Sequence, residues 1–185
     1  GCDGWAWIHV QPHLALRHRV VHLHYRGHGR SGPVTNLDET GIEVLADDVI
    51  RVLDETGLSR SVLVAHSMGW LASRQYIQSD YYENDVDQMI FLGTPHLGAP
   101  ESYLTWEGGE LGKGVMNLLK EFVFSREAKK YGYYDIYDYV RNYVISAREL
   151  LPIYAYLRDR STGVIRTYPV NYPQNIFLEN LYSSV

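Results

Sequence analysis

Two spacing regimes divide this chain of 185 residues. From Ile42 to Leu53, apolar residues fall at 42, 45, 49 and 53, with Val44, Ala46, Ile50 and Val52 alongside. Steps of three and four predict an amphipathic helix, and Thr56-Gly57 ends it. Ser61 to Ala65 is a short apolar, β-branched run and predicts a strand. Met68 to Ser79 returns to helical spacing, Asp80 to Asp85 is a polar break, and Val86 to Leu92 predicts another strand, closed by Gly93-Thr94-Pro95. Upstream, Arg19 to Tyr25 alternates and predicts a strand, followed by the breaker-rich loop Arg26-Gly27-His28-Gly29-Arg30-Ser31-Gly32-Pro33. A short helical segment is expected within Trp7 to Leu16. The order strand, helix, strand, helix, strand, with long connections, predicts parallel pairing through right-handed crossovers. The near-continuous apolar run Val62 to Ala65 suits a sheet covered on both faces.

The pattern changes beyond residue 97. Glycines cluster at 108, 109, 112 and 114, charged helical stretches follow at Met116 to Lys130 and Tyr137 to Leu151, and a Pro-, Tyr- and Asn-containing tail runs from Leu151 to Asn175. Val164 to Tyr168 is the one segment here that could add a strand. The expected organisation is an α/β core over residues 1–100 and a mostly helical, tyrosine-rich lid or cap over 101–185.

Composition narrows the function classes. A hydrophobic content of 45% and a charged content of 21% fit an ordinary packed domain. A net charge of −5 argues against a nucleic-acid partner, which would need a basic face. Cys2 is the only cysteine, so no internal disulfide framework is expected. Tyrosine is enriched to 16 copies, most of them in the second half. Its apolar ring and polar tip suit either a half-buried surface layer or an aromatic roof over a lipid-like substrate.

The chemistry concentrates at Ala65-His66-Ser67-Met68-Gly69, where a predicted strand gives way to a predicted helix. Small residues on either side of a serine in a sharp strand-to-helix turn form a nucleophile elbow, here with Ala65 in the place of the usual first glycine. Such a turn would hold the Ser67 hydroxyl above the carboxyl ends of parallel strands, where ligands bind in open sheets. The Met68 N–H, at the start of the following helix, is positioned to donate to an oxyanion. A serine hydroxyl is a weak nucleophile until a base removes its proton.

Three segments in this order carry a family resemblance: Tyr25 to Ser31, Ala65 to Gly69, and Leu92-Gly93-Thr94-Pro95-His96-Leu97-Gly98-Ala99-Pro100. Residues 1–100 resemble the front half of an α/β-hydrolase, and the third segment is similar to the Gly-Thr-Pro-His stretch of lipases. This points to the lipase and esterase branch, including lecithin:cholesterol-acyltransferase-like and GPI inositol-deacylase-like enzymes. Arg148 to Pro152, Tyr168-Pro169 and Asn171-Tyr172-Pro173 resemble lid material of bacterial members.

The resemblance implies a partial parallel sheet with helices on both faces. It also implies a Ser-acid-His triad in that chain order, with Ser67 as nucleophile, Met68 as an oxyanion donor, and His66, Gly69 and His96 lining the pocket or its loop. No metal or cofactor is implied. The implied partner is a small-molecule or lipid ester, with transient contact to a membrane or lipid interface.

A base is hard to place. His96 is the only histidine downstream of Ser67 and falls where the family carries a non-triad histidine. His9, His13 and His18 read as surface residues. His22 and His24 share a strand face without a third metal ligand. His28 belongs to the loop, and His66 is too close to its neighbour to act as its base. Asp135, Asp138 and Asp159 fall in the cap and read as solvated. Gly1 to Trp5 resembles the continuation of the family's oxyanion loop, where a backbone N–H of Cys2 or Asp3 is a candidate second donor.

The expectation is therefore an internal fragment of a carboxylic ester hydrolase, inactive alone, whose acid and histidine lie elsewhere. An acyltransferase of the same fold and a non-catalytic binding module are the alternatives.

Overall fold

The computed structural model describes residues 7–34, 36, 41–112 and 115–183. The first long helix, α2 (Ile42–Thr56), follows a short α1 (Gln11–Ala15) and forms where the three-and-four spacing predicts it. Its buried stripe is Ile42, Leu45, Ala46, Val49 and Leu53, and Gly57 closes it in the left-handed conformation at φ 62°. β1 (Ser61–His66) and β2 (Val86–Leu92) pair in parallel, with Leu63 opposite Met89 and Ala65 opposite Phe91. Between them α3 (Gly69–Gln78) forms the crossover and packs on α2.

The core gathers on one side of this sheet. Leu45 of α2, Ala65 of β1 and Trp70, Leu71 and Ala72 of α3 form one buried cluster, with Met89 against it. Ala46, Val49, Leu53 and Tyr76 form an adjoining one, flanked by Leu63 and Val86. On the opposite side Val62, Val64, Ile90 and Leu92 remain exposed among the described residues. Helical cover is thus seen on the Leu63–Ala65–Met89 face.

Residues 19–25 do not form the strand that their alternation predicts. A strand needs a neighbouring edge for its N–H and C=O groups, and β1 and β2 pair with each other alone among the described residues. The segment is held by its side chains instead. Leu23 and Tyr25 pack against the α2–α3 cluster, and Arg19 donates to the Thr56 carbonyl at 3.1 Å. Alternation here reports one buried face without a ladder.

In the second half, α4 (Pro100–Gly108), α5 (Val115–Lys130), α6 (Ile136–Tyr143) and α7 (Ile145–Glu149) surround a second core. The helix expected over 137–151 is two helices, because Val144 leaves helical geometry at φ −95°, ψ 73°. Tyr143 and Ala147 nevertheless both reach the same cluster. The expected strand at 164–168 is reduced to an isolated antiparallel bridge between Arg158 and Ile165.

The tyrosines divide between surface and interior: Tyr134 and Tyr182 are exposed and Tyr131, Tyr133 and Tyr168 half-buried, while Tyr139 and Tyr143 are buried and stack at 4.9 Å, with Tyr131 4.7 Å from Tyr143. With Trp106, Phe124 and Tyr133 they make the aromatic interior of this half. Burial pushes the Tyr139 phenol up to about 12, so it stays neutral. α8 (Ile176–Ser183) returns to the first core, burying Leu178 and Leu181 beside Leu71.

Candidate functional site

Ser67 sits where β1 ends and α3 begins, and its backbone is left-handed at φ 54°. A non-glycine residue in this region is held there by its surroundings, at a cost of about 1–3 kcal/mol. The holding bonds are visible. The Ser67 N–H donates to the Leu92 carbonyl at 3.0 Å, and the Ser67 carbonyl accepts from Trp70 N–H at 3.3 Å. The turn is thereby pinned to the end of β2 on one side and to the first turn of α3 on the other. This is the geometry expected of the elbow, and it leaves Ser67 and Met68 half-buried. Met68 is the N-cap residue of α3, so its N–H belongs to the set that a helix leaves without an internal acceptor.

Gly69 begins α3, and its carbonyl accepts from the Ser73 hydroxyl at 3.1 Å. The Tyr25 hydroxyl comes within 3.5 Å of the same carbonyl. Burial, reinforced by Asp48, pushes the Tyr25 phenol up to about 12, so it is a neutral donor beneath the elbow. The loop after Tyr25 is clamped to α2. Arg26 makes a two-pronged ion pair with Asp48, Nε to Oδ1 at 3.0 Å and a terminal nitrogen to Oδ1 at 2.6 Å, and the Arg26 N–H donates to Oδ2 at 3.1 Å.

The two flanking histidines lie apart in role. His66 is exposed at the end of β1. A Cβ placed on Gly93 would lie 3.8 Å from its Nε2, which sets it beside the loop that leaves β2. The His96 ring packs edge-on against Trp70 at 4.3 Å and Phe91 at 5.6 Å. Among the described residues, no histidine or carboxylate is hydrogen-bonded to the Ser67 hydroxyl. His24 Nδ1 accepts from Arg30 N–H at 3.0 Å, and its ring meets His22 at 4.8 Å. His28 Nδ1 lies 3.0 Å from the Arg26 carbonyl. No group of metal-ligating side chains is found among the described residues. Cys2 and Asp3, considered for a second oxyanion donor, lie outside the described residues.

Sequence reasoning missed the aromatic corner formed by Trp70, Phe91 and His96. Its signal was available: Trp70 lies three residues after Ser67, one turn into α3. The indole N–H of Trp70 and the Thr94 hydroxyl are buried there without a partner. Also missed was the seam that fixes the His96 loop. Ala99 N–H donates to Leu150 C=O at 2.8 Å, and Ile153 N–H donates to Leu97 C=O at 3.0 Å. The Ser102 hydroxyl adds a bond to the Leu150 carbonyl at 2.9 Å. Asn175, 1% exposed, donates to the carbonyls of Glu149 and Leu151, both at 2.8 Å, and accepts from Leu178 N–H at 3.0 Å. Beside it, Glu149 accepts from Ile42 N–H at 2.7 Å, and burial pushes its carboxyl up to about 7.

A profile of the alpha/beta hydrolase fold matches residues 1–112, more than half of the chain and the whole of the elbow. The chain belongs to the alpha/beta hydrolase fold family. Curated relatives of this family member include epoxide hydrolase 1 of Caenorhabditis elegans, 26% identical over 104 residues, covering 55% of this chain and 25% of the relative. Epoxide hydrolase 4 of Mus musculus is 25% identical over 100 residues, covering 54% of this chain and 27% of the relative. Bifunctional epoxide hydrolase 2 of Sus scrofa is 28% identical over 97 residues, covering 51% and 17%. The chain thus spans about a quarter or less of the length of these relatives. No solved structure matches it. The fold family is that expected from the sequence, and the relatives named above are epoxide hydrolases, so the lipase and esterase branch is not shown by them.

Proposed function

We propose that this chain carries the nucleophile of a serine hydrolase that cleaves an ester of a hydrophobic substrate, in the lipase and esterase branch. The observation that carries the reading is Ser67 in its left-handed turn, at φ 54° between β1 and α3. In the proposed step a base takes the Ser67 proton as Oγ bonds to the ester carbonyl carbon. The carbonyl oxygen becomes an oxyanion facing the Met68 N–H. Collapse breaks the bond to the alkoxy oxygen, which leaves as the alcohol with the proton. Water then attacks the acyl-serine, releases the acid and restores the hydroxyl. The base and its acid partner are assigned to parts of the protein beyond the described residues.

The names of the relatives raise epoxide opening as a second reading, and the chemistry of Ser67 weighs against it. Attack by a serine oxygen on an epoxide carbon forms an ether. An ether has no carbonyl for water to attack, so the enzyme would be consumed after one event. An acyl-serine keeps its carbonyl and turns over. A serine at this position therefore favours a carbonyl substrate, with an acyltransferase differing only in the nucleophile that accepts the acyl group.

That no base is hydrogen-bonded to Ser67 among the described residues favours one other reading, a hydrolase-like binding module. The test is a fluorophosphonate probe on the full-length protein. Labelling at Ser67 that is lost in Ser67→Ala supports the enzyme. A folded full-length protein that is never labelled overturns it in favour of the module.

A further inference from the structure

α5 packs against the tyrosine cluster through Phe124 and Ala128. At about 100° per residue, Phe122, Arg126 and Lys129 then share the outward side within about 60° of one another, flanked by Val123 and Lys130. The exposures agree: Phe122 is 68% and Val123 54% exposed. Arg126 and Lys129 are exposed, as is the Lys130 side chain at 60%. Tyr134, 91% exposed, lines a hollow of about 290 Å³ together with Lys129, which sets a phenol ring at the edge of the same patch. The acids nearby are engaged. Glu127 pairs with Lys130 at 3.3 Å, and Asp135 caps α6 by accepting from Asp138 N–H at 2.8 Å.

A chain of net charge −5 thus presents one helix face with three cations and two large apolar side chains. We propose that this face of α5 docks on an anionic phospholipid bilayer. Arg126, Lys129 and Lys130 meet the headgroup charges, while Phe122, Val123 and Tyr134 enter the boundary between headgroups and acyl chains. A helix lying in the interface uses both kinds of side chain at once, with Tyr134 suited to a site where one end of the ring is wet. The proposal rests on this surface alone and is independent of the chemistry at Ser67.

The test is co-sedimentation of the full-length protein with phosphatidylcholine vesicles, with and without phosphatidylserine. The expected result is binding to the anionic vesicles only, weakened by added salt. R126Q and K129Q each lower the partition coefficient about fivefold, K130Q lowers it less because Glu127 already pairs with Lys130, and F122S with V123S lowers it about tenfold or more. The charge reversal R126E with K129E keeps strong helix formers and abolishes binding. Circular dichroism of each variant checks that the helices remain. No sedimentation with anionic vesicles, or sedimentation indifferent to R126E with K129E, overturns the proposal. Binding that needs the cations and ignores F122S with V123S also overturns it, and assigns the face to an acidic macromolecule.

Discussion

Gly98→Ala is expected to be among the costliest single-methyl additions in this protein. Gly98 has φ 89°, and a Cβ built on it would lie 2.5 Å from the Leu151 carbonyl oxygen and 2.5 Å from Pro152 Cα. Those atoms are backbone and cannot swing away as a side chain tip could. The positive φ alone costs an alanine about 1–2 kcal/mol. Relieving the clash means parting residues 97–99 from 150–153, which share the bonds Ala99 N–H to Leu150 C=O and Ile153 N–H to Leu97 C=O. Each is worth about 1 kcal/mol net, so the total comes to about 3–4 kcal/mol.

Gly57→Ala is the internal control: φ is 62° and a Cβ there meets nothing within 4 Å. It should cost about 1 kcal/mol, the conformational part alone. Urea denaturation of the two variants side by side isolates the contact part. If Gly98→Ala falls within about 0.5 kcal/mol of Gly57→Ala, the close seam between the His96 loop and residues 150–153 is wrong.

Three further outcomes follow from the same seam and the elbow. Asn175→Ala removes bonds to two carbonyls and one N–H inside the protein and should cost about 3 kcal/mol in urea denaturation; a loss below about 1 kcal/mol refutes the clamp. Glu149 is raised from 4.5 to about 7 in the folded protein, so its contribution to stability is full below about 4.5 and is lost as pH rises through about 7. Melts across that range should show a stability decrease on the order of 3 kcal/mol that Glu149→Gln abolishes, and an equal slope in both proteins refutes the assignment. Ser67→Gly should be more stable than Ser67→Ala by about 1 kcal/mol, because glycine adopts φ 54° without strain; equal stabilities would mean that the turn stores none.

The elements legible in the sequence were those whose own spacing repeats. α2, β1, α3 and β2 each carry a pattern that needs no distant partner to be recognised, and the elbow is local to five residues. What was hidden depends on neighbours. Arg19 to Tyr25 has the alternation of a strand and no adjacent edge to pair with. Val144 breaks a helix that its spacing would continue, and no proline or glycine at that point announces the break. The aromatic corner around His96 joins residues from α3, β2 and the loop after it, and no spacing rule links those three segments. Leu150 meets Ala99 across 51 intervening sequence steps, and nothing in either stretch announces the other.

The carboxylate of Glu149 on the first N–H of α2 spans a sequence separation of 107 residues. Gly41, the residue before that helix, supplies no side-chain cap of its own. On a chain emerging from the ribosome, α2 therefore appears long before the group that completes its first turn. The body of the helix can bury Leu45, Val49 and Leu53 early, while its leading turn waits for residue 149. Order in synthesis and order in folding are opposed at this point, and the N-terminal turn of α2 should be the last part of the first core to gain protection from amide exchange.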